Sequence, residues 1–242
     1  MTIRIAMWSG PRNISTAMMR SWGNRSDAAV SDEPFYAHYL SVTGADHPGR
    51  DETLASQETD ASAVASMLRG PAPGDAAIWY QKHMAHHLLP ETDRSWMESV
   101  RHCFLVRDPA AMLASLHDKT PFPSLEDTGL PQQVRLFDEA MSRSDRIPPV
   151  LDADDVLGNP GGVLRQLCKR LGVEFQESML SWPPGLRESD GAWAPFWYHS
   201  VESSTGFRPP AKIGRELPPE LDEVMESCLD CYEALHKHRI RE

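Results

Sequence analysis

Near the start of the 242-residue chain, Ser9-Gly10-Pro11-Arg12-Asn13-Ile14-Ser15-Thr16 joins a short apolar run to a helical pattern and collects a guanidinium, two hydroxyls and a helix start. A helix N-terminus presents unpaired N–H groups and a partial positive charge. Beyond the C-terminal end of a parallel strand, that makes a seat for an anion. Arg12 adds forked donors, and Ser15 and Thr16 add hydroxyls, a set suited to a phosphate or sulfate. The surroundings agree, since residues 1–27 hold Arg4, Arg12, Arg20 and Arg25 against Asp27 alone. The turn lacks the Gly-x-x-x-x-Gly-Lys of a nucleoside-triphosphate loop and the Gly-x-Gly-x-x-Gly of a dinucleotide loop. A plain strand-to-helix turn with a capping serine shares its outline.

Other chemistry-bearing groups are less directive. His83, His86 and His87 lie close together, but no His-Glu-x-x-His and no nearby cysteine accompanies them, so no metal site is expected. Cys228 and Cys231 form a C-x-x-C inside a stretch whose apolar positions Leu221, Val224, Met225, Cys228, Leu229 and Tyr232 have helical spacing. They read as thiols of a helix rather than a redox or metal pair.

These groups need elements to hold them. Ile3 to Trp8 reads as a buried strand, followed by a helix over Thr16 to Trp22 that Asn13 or Ser15 can cap and Gly23 ends. Similar short apolar runs recur at 28–31, 76–80, 102–106 and 149–151, and helical patterns at 61–68, 109–117, 132–142 and 161–171. Alternation of nearly unbroken apolar strands with helices predicts an α/β fold in three layers, a mostly parallel sheet covered on both faces. We expect one domain over residues 1–242, with long loops at 43–59 and 181–219 and a C-terminal helix over 217–238. The second loop carries seven prolines together with Trp182, Trp193, Phe196, Trp197 and Tyr198. Loops of that length in compact domains are usually functional or lid-like.

Composition narrows the class. With 40% hydrophobic and 24% charged residues the chain has the make-up of a globular protein, and its net charge of −11 argues against a general nucleic-acid or anionic-membrane surface. Any anion site must therefore be local. No apolar run is long enough to span a bilayer, no signal peptide is recognised, and four cysteines do not make a disulfide framework, so a cytoplasmic location is expected.

The Pro11 to Thr16 turn resembles the phosphosulfate-binding loop of the sulfotransferases in its Pro, its basic residue and its hydroxyl pair. It carries Ile14 where the family has Gly and Arg12 where cytosolic members have Lys. Phe104-Leu105-Val106-Arg107-Asp108-Pro109, with Ser115 eight residues after Arg107, is similar to the family's segment for the 3′-phosphate of 3′-phosphoadenosine 5′-phosphosulfate (PAPS). An Arg at a strand end and a Ser two helical turns later can reach one phosphate. Asp108 and Pro109 also suit an ordinary helix start. A third stretch, Val150 to Val173, matches the family's acidic-Leu turn, its Asn-Pro helix start at Asn159-Pro160 and its Leu-Gly stop at Leu171-Gly172. The three segments occur in the family's order.

The resemblance implies a P-loop-like sulfotransferase fold and PAPS as co-substrate, bound by Arg12, Asn13, Ile14, Ser15, Thr16, Ala17, Arg107 and Ser115. Arg208, in Gly206-Phe207-Arg208-Pro209-Pro210-Ala211-Lys212, falls where the family covers the 3′-phosphate. The resemblance implies a small-molecule acceptor, while the histidine spacing gives no reason to expect a metal and the net charge none to expect a nucleic-acid partner. Sulfuryl transfer needs a base for the acceptor and a cation for the leaving oxygen. Arg12 is the expected cation. His83, before Leu88-Leu89-Pro90, and Glu33, in a Glu-Pro turn, are the two candidate bases, with His83 the easier base at neutral pH. A P-loop kinase or nucleotide hydrolase and a non-catalytic phosphonucleotide-binding member are the alternatives.

Overall fold

A computed structural model describes residues 2–144, 146–209 and 217–241. Five parallel strands, β1 (Ile3–Ser9), β2 (Ala28–Asp32), β3 (Ile78–Met84), β4 (Arg101–Val106) and β5 (Val150–Asp152), form one sheet in the order β2-β3-β1-β4-β5. The chain is α/β, as expected. The helices are α1 (Ser15–Gly23), α2 (Tyr36–Thr43), α3 (Arg50–Ser56), α4 (Ala61–Arg69), α5 (Pro109–His117), α6 (Leu130–Ser142), α7 (Ala153–Gly158), α8 (Pro160–Arg170), α9 (Ala194–Trp197), α10 (His199–Glu202) and α11 (Asp222–His236).

Strand periodicity divides the core. On β1, Ile5 and Met7 face the cluster built from α1, α2, α8, Trp193 and Tyr198, while Ala6 and Trp8 face the cluster built from α4, α6 and Trp96. β4 repeats the pattern, with Cys103 and Leu105 on the first side and Phe104 on the second. Successive side chains of a strand point to opposite faces, so each strand needs apolar residues throughout when both faces are covered. Fully burying each large side chain contributes roughly 1.5–3 kcal/mol.

β1 is the middle strand, with β3 on one side and β4 on the other, so the loops after these three strands open into one crevice. Ligands of open parallel sheets bind at such a point of reversal. Gly10 enters the first of these loops where only a glycine fits, because a Cβ there would lie 2.1 Å from the Thr128 carbonyl oxygen.

Three local expectations change. The cap of α1 is Ile14, with no side-chain acceptor. Asn13 is buried instead, its Nδ2 donating to the Leu105 carbonyl at 3.0 Å, which ties the loop to β4. The 43–59 stretch is not one loop: Gly49, at φ 79°, leads into α3, a seven-residue helix too short for periodicity to reveal. The 181–209 stretch holds α9 and α10, and its Trp182, Trp193 and Tyr198 are buried. It is a packed wall. Pro210, Ala211 and Lys212 of the expected phosphate-covering segment lie outside the described residues. Cys228 and Cys231 both fall within α11, Cys228 fully buried with its thiol pushed up to about 11 by that burial.

Candidate active site

The crevice is a cavity of 450 Å³, and its walls gather residues from nearly the whole length of the chain. One rim is cationic. Pro11 to Ala17 line it together with Arg107, Ser115 and Arg208. Arg12 holds a left-handed backbone at φ 59°, a costly conformation for a residue with a Cβ. Two contacts keep it there: the Arg12 Nε donates to Ser115 Oγ at 2.9 Å, and Arg107 donates to the Arg12 carbonyl at 2.7 Å. The two motifs read separately in the sequence thus clasp each other directly. Burial, then the Arg107 charge, lowers the Arg12 pKa, while Asp118 opposes the shift.

This rim fits an anionic ligand. No side chain caps the first turn of α1, the turn carries no acidic residue, and the buried Nε of Arg107 has no hydrogen-bond partner. The clustering of arginines in residues 1–27 is only partly about this site. Arg20 forms a buried ion pair with Asp190, Arg25 pairs with Asp27, and Arg4 donates to the carbonyls of Arg69 and Gly70. Of those four, Arg12 alone lines the cavity.

The opposite wall carries Glu33, Tyr36, His47, Lys82, His86, His87, Trp193, Trp197 and Tyr198. Glu33 follows β2 in a left-handed conformation, φ 42°, its amide donating to the Lys82 carbonyl at 2.9 Å. Lys82, 1% exposed, donates to Asp32 at 2.8 Å, to Tyr198 Oη at 3.0 Å and to Glu33 through a short hydrogen bond. Burial would lower the Lys82 pKa, but Asp32 and Glu33 outweigh it and hold the ammonium well above its ordinary range. Glu33 moves the other way. Burial raises it to about 7 against the pull of Lys82, with Asp32 adding to the rise.

His83 and Glu33, the two base candidates, are not brought together. His83 sits on the opposite face of β3, its ring stacked on Trp8 at 4.5 Å and packed by Phe35 and Trp96. Burial lowers its pKa to about 3. Glu33 lines the cavity and His83 does not. Strand alternation is the reason: Ile78 and Tyr80 pack on the Trp193 side, Lys82 continues that row, and Gln81 and His83 point away. Lys82 went unnoticed in the sequence beside a histidine of more familiar chemistry. Its signal was available, because a lysine in the row of Ile78 and Tyr80 must find a carboxylate or a cavity.

The all-parallel α/β sheet thus sets a loop with free N–H donors after its first strand across the crevice from a buried carboxylate. The chain belongs to the sulfotransferase family, whose sulfotransferase-domain model matches residues 3–239. It is 37% identical over 235 residues to branched-chain-amino-acid aminotransferase-like protein 1 of Arabidopsis thaliana, covering 97% of this chain and 42% of that protein. The chain therefore spans less than half the length of that relative. Two solved structures share the fold. The sulfotransferase from Alicyclobacillus acidocaldarius aligns at TM-score 0.55 with 12% identity, over 100% of this chain and 98% of that one. The sulfotransferase domain of the Synechococcus PCC 7002 olefin synthase aligns at 0.54 with 16% identity, over 93% and 94%. Among the described residues no helix is long and apolar enough to cross a membrane.

Proposed function

We propose that this protein transfers the sulfuryl group of PAPS to a hydroxyl or amine of a small-molecule acceptor, with Glu33 as general base. The observation that carries this reading is the pairing, across one cavity, of a cationic rim with a buried carboxylate poised near neutral pH. The α1 start, Arg12, Ser15 and Thr16 would hold the phosphosulfate, and Arg107, Ser115 and Arg208 the 3′-phosphate. When bound, the donor supplies an electrophilic sulfur and a phosphate leaving group.

The residues divide the remaining work. Glu33 takes the acceptor's proton as the acceptor bonds to sulfur and the sulfur–oxygen bond to the nucleotide breaks, its electron pair leaving on the nucleotide phosphate. A base with a pKa near the working pH is both available and strong enough for this step. Arg12 remains cationic and offsets charge on the departing oxygen, an electrostatic role suited to a guanidinium. Trp193, Trp197 and Tyr36 wall the acceptor side and exclude water that would hydrolyse the donor.

Calorimetric titration with the desulfated nucleotide PAP and with ATP, followed by transfer of labelled sulfate from PAPS across an acceptor panel, tests this reading. Tight PAP binding with transfer supports it. ATP binding without PAP binding overturns it in favour of a kinase or hydrolase, and PAP binding without transfer to any acceptor points to a non-catalytic member.

A further inference from the structure

Next to Glu33 lies a buried polar group whose donors and acceptors can be counted. An ammonium has three N–H donors and no acceptor. All three of Lys82 are used, on Asp32 Oδ1, Glu33 Oε1 and Tyr198 Oη. Tyr198 Oη accepts from Lys82 and from Trp193 Nε1 at 3.2 Å, and donates to Asp32 Oδ2 at 2.6 Å. The Gly191 amide also donates to Asp32 Oδ2, at 3.1 Å. Asp32 thus receives three hydrogen bonds, the pattern of an ionised carboxylate. Glu33 is held at Oε1 alone. Its Oε2 faces His87 Nδ1 at 3.5 Å, beyond good hydrogen-bond geometry.

We propose that Asp32 and Lys82 are positioning residues for the base: Asp32 takes up the charge of Lys82, Lys82 anchors Glu33 Oε1, and Glu33 Oε2 is the oxygen that receives the acceptor's proton. The proposal rests on the assignment of Glu33 as base. Its logic is charge balance. Lys82 with Asp32 is neutral, so an ionised Glu33 adds a net negative charge to a buried site, which is what a base needs if it is to take a proton.

The other groups facing Glu33 carry no charge at neutral pH. Burial, then the Glu33 charge, raises Tyr36, and burial, then Asp32, raises Tyr198 far above the working range. Burial, with the neighbouring His86 and His47, keeps His87 deprotonated. Asp32 and Lys82 alone therefore set the balance. The pair also joins the base to the 181–209 wall, since Tyr198, Trp193 and Gly191 all belong to that segment.

The test is the pH dependence of kcat in Asp32→Asn, Lys82→Met and the double variant, with PAP affinity measured alongside. Asp32→Asn leaves Glu33 as the sole counter-charge of Lys82, so the acid-side midpoint moves down by about 1 unit or more and the plateau rate falls. Lys82→Met leaves two carboxylates together, so the midpoint moves up by about the same amount. The double variant removes both charges and returns the midpoint toward the wild-type position.

An ion pair that is not coupled to the catalytic base would not produce opposite shifts in the kcat profile that cancel. Single variants that move the midpoint in the same direction, or leave it unmoved, overturn the proposal. Breaking a buried pair can unfold a protein where replacing both members does not. If the single variants lose PAP binding, the double variant decides: a wild-type midpoint supports the proposal and a displaced one overturns it. Glu33→Gln separates the two claims, because an acid limb that survives this change removes Glu33 as base, whatever Asp32 and Lys82 do.

Discussion

The cationic rim and the carboxylate wall face each other across the same cavity but are built differently. On the rim, Arg12 and Arg107 stand just beyond β1 and β4, each in a short contiguous segment that runs from strand through turn to helix. On the wall, Asp32, Glu33, Lys82 and Tyr198 meet through hydrogen bonds that span 49 to 166 residues of sequence. A site made of contiguous turns can be recognised segment by segment. A site made of buried polar pairs exists only once the sheet has formed, because each charged member would be prohibitively costly to bury without the other.

If the wall is the chemical side, Glu33→Gln should show the largest effect: kcat falls by about 10²- to 10⁴-fold, the span of general-base catalysis, while PAP affinity stays unchanged. An equal loss in PAP affinity would merge the two regions into one. If the rim is the binding side, Arg107→Ala weakens PAP by roughly 1.5–3 kcal/mol, about 10- to 150-fold in Kd by titration. An unchanged affinity would remove the β4 segment from the donor site.

Ser115→Ala probes the clasp between the two rim segments and should cost about 0.5–1.5 kcal/mol in PAP binding, the net worth of one hydrogen bond. The smallest effect on turnover is expected for His83→Phe, which leaves kcat close to wild type because the ring lies on the other face of the sheet. This variant changes stability instead. His83 is buried and His86 and His102 are half-buried, and desolvation lowers their pKa values to about 3, 4 and 4, so below pH 6.5 the unfolded chain binds protons that the folded one refuses. Stability is therefore full above 6.5 and falls as the pH drops from there toward 4, by up to about 1.4 kcal/mol per pH unit per group. Thermal melts of His83→Phe should show a shallower acid decline than wild type. A steep loss of kcat in that variant would restore His83 as a candidate base.

Much of the fold was legible. All five strands and the main helices announced themselves through apolar runs and periodicity, and Pro109, Pro160, Gly23 and Gly172 marked helix ends that the structure keeps. What stayed hidden was short or oddly placed. α2 has eight residues, α3 seven, α7 six, α9 and α10 four each, and α1 starts after Ile14 with no side-chain cap, where Asn13 or Ser15 was expected. The proline-rich 181–219 stretch read as a long functional or lid-like loop, whereas in its described part the Arg20–Asp190 pair and the Tyr198–Asp32 hydrogen bond fasten it to α1 and β2.

The sequence by itself determined an apolar strand at 76–80, and because side chains in a strand alternate, the continuation of β3 to Met84 puts Lys82 and His83 on opposite faces. It could not say which face would meet the cavity. That depended on the 181–209 segment folding over the side of the sheet that already held Ile78 and Tyr80, while Trp8 and Trp96 closed over the other. Alternation is a local property of the backbone. The covering of a face is decided by chain segments more than a hundred residues away, and so only the tertiary structure placed Lys82 and Glu33 in the cavity and His83 in the core.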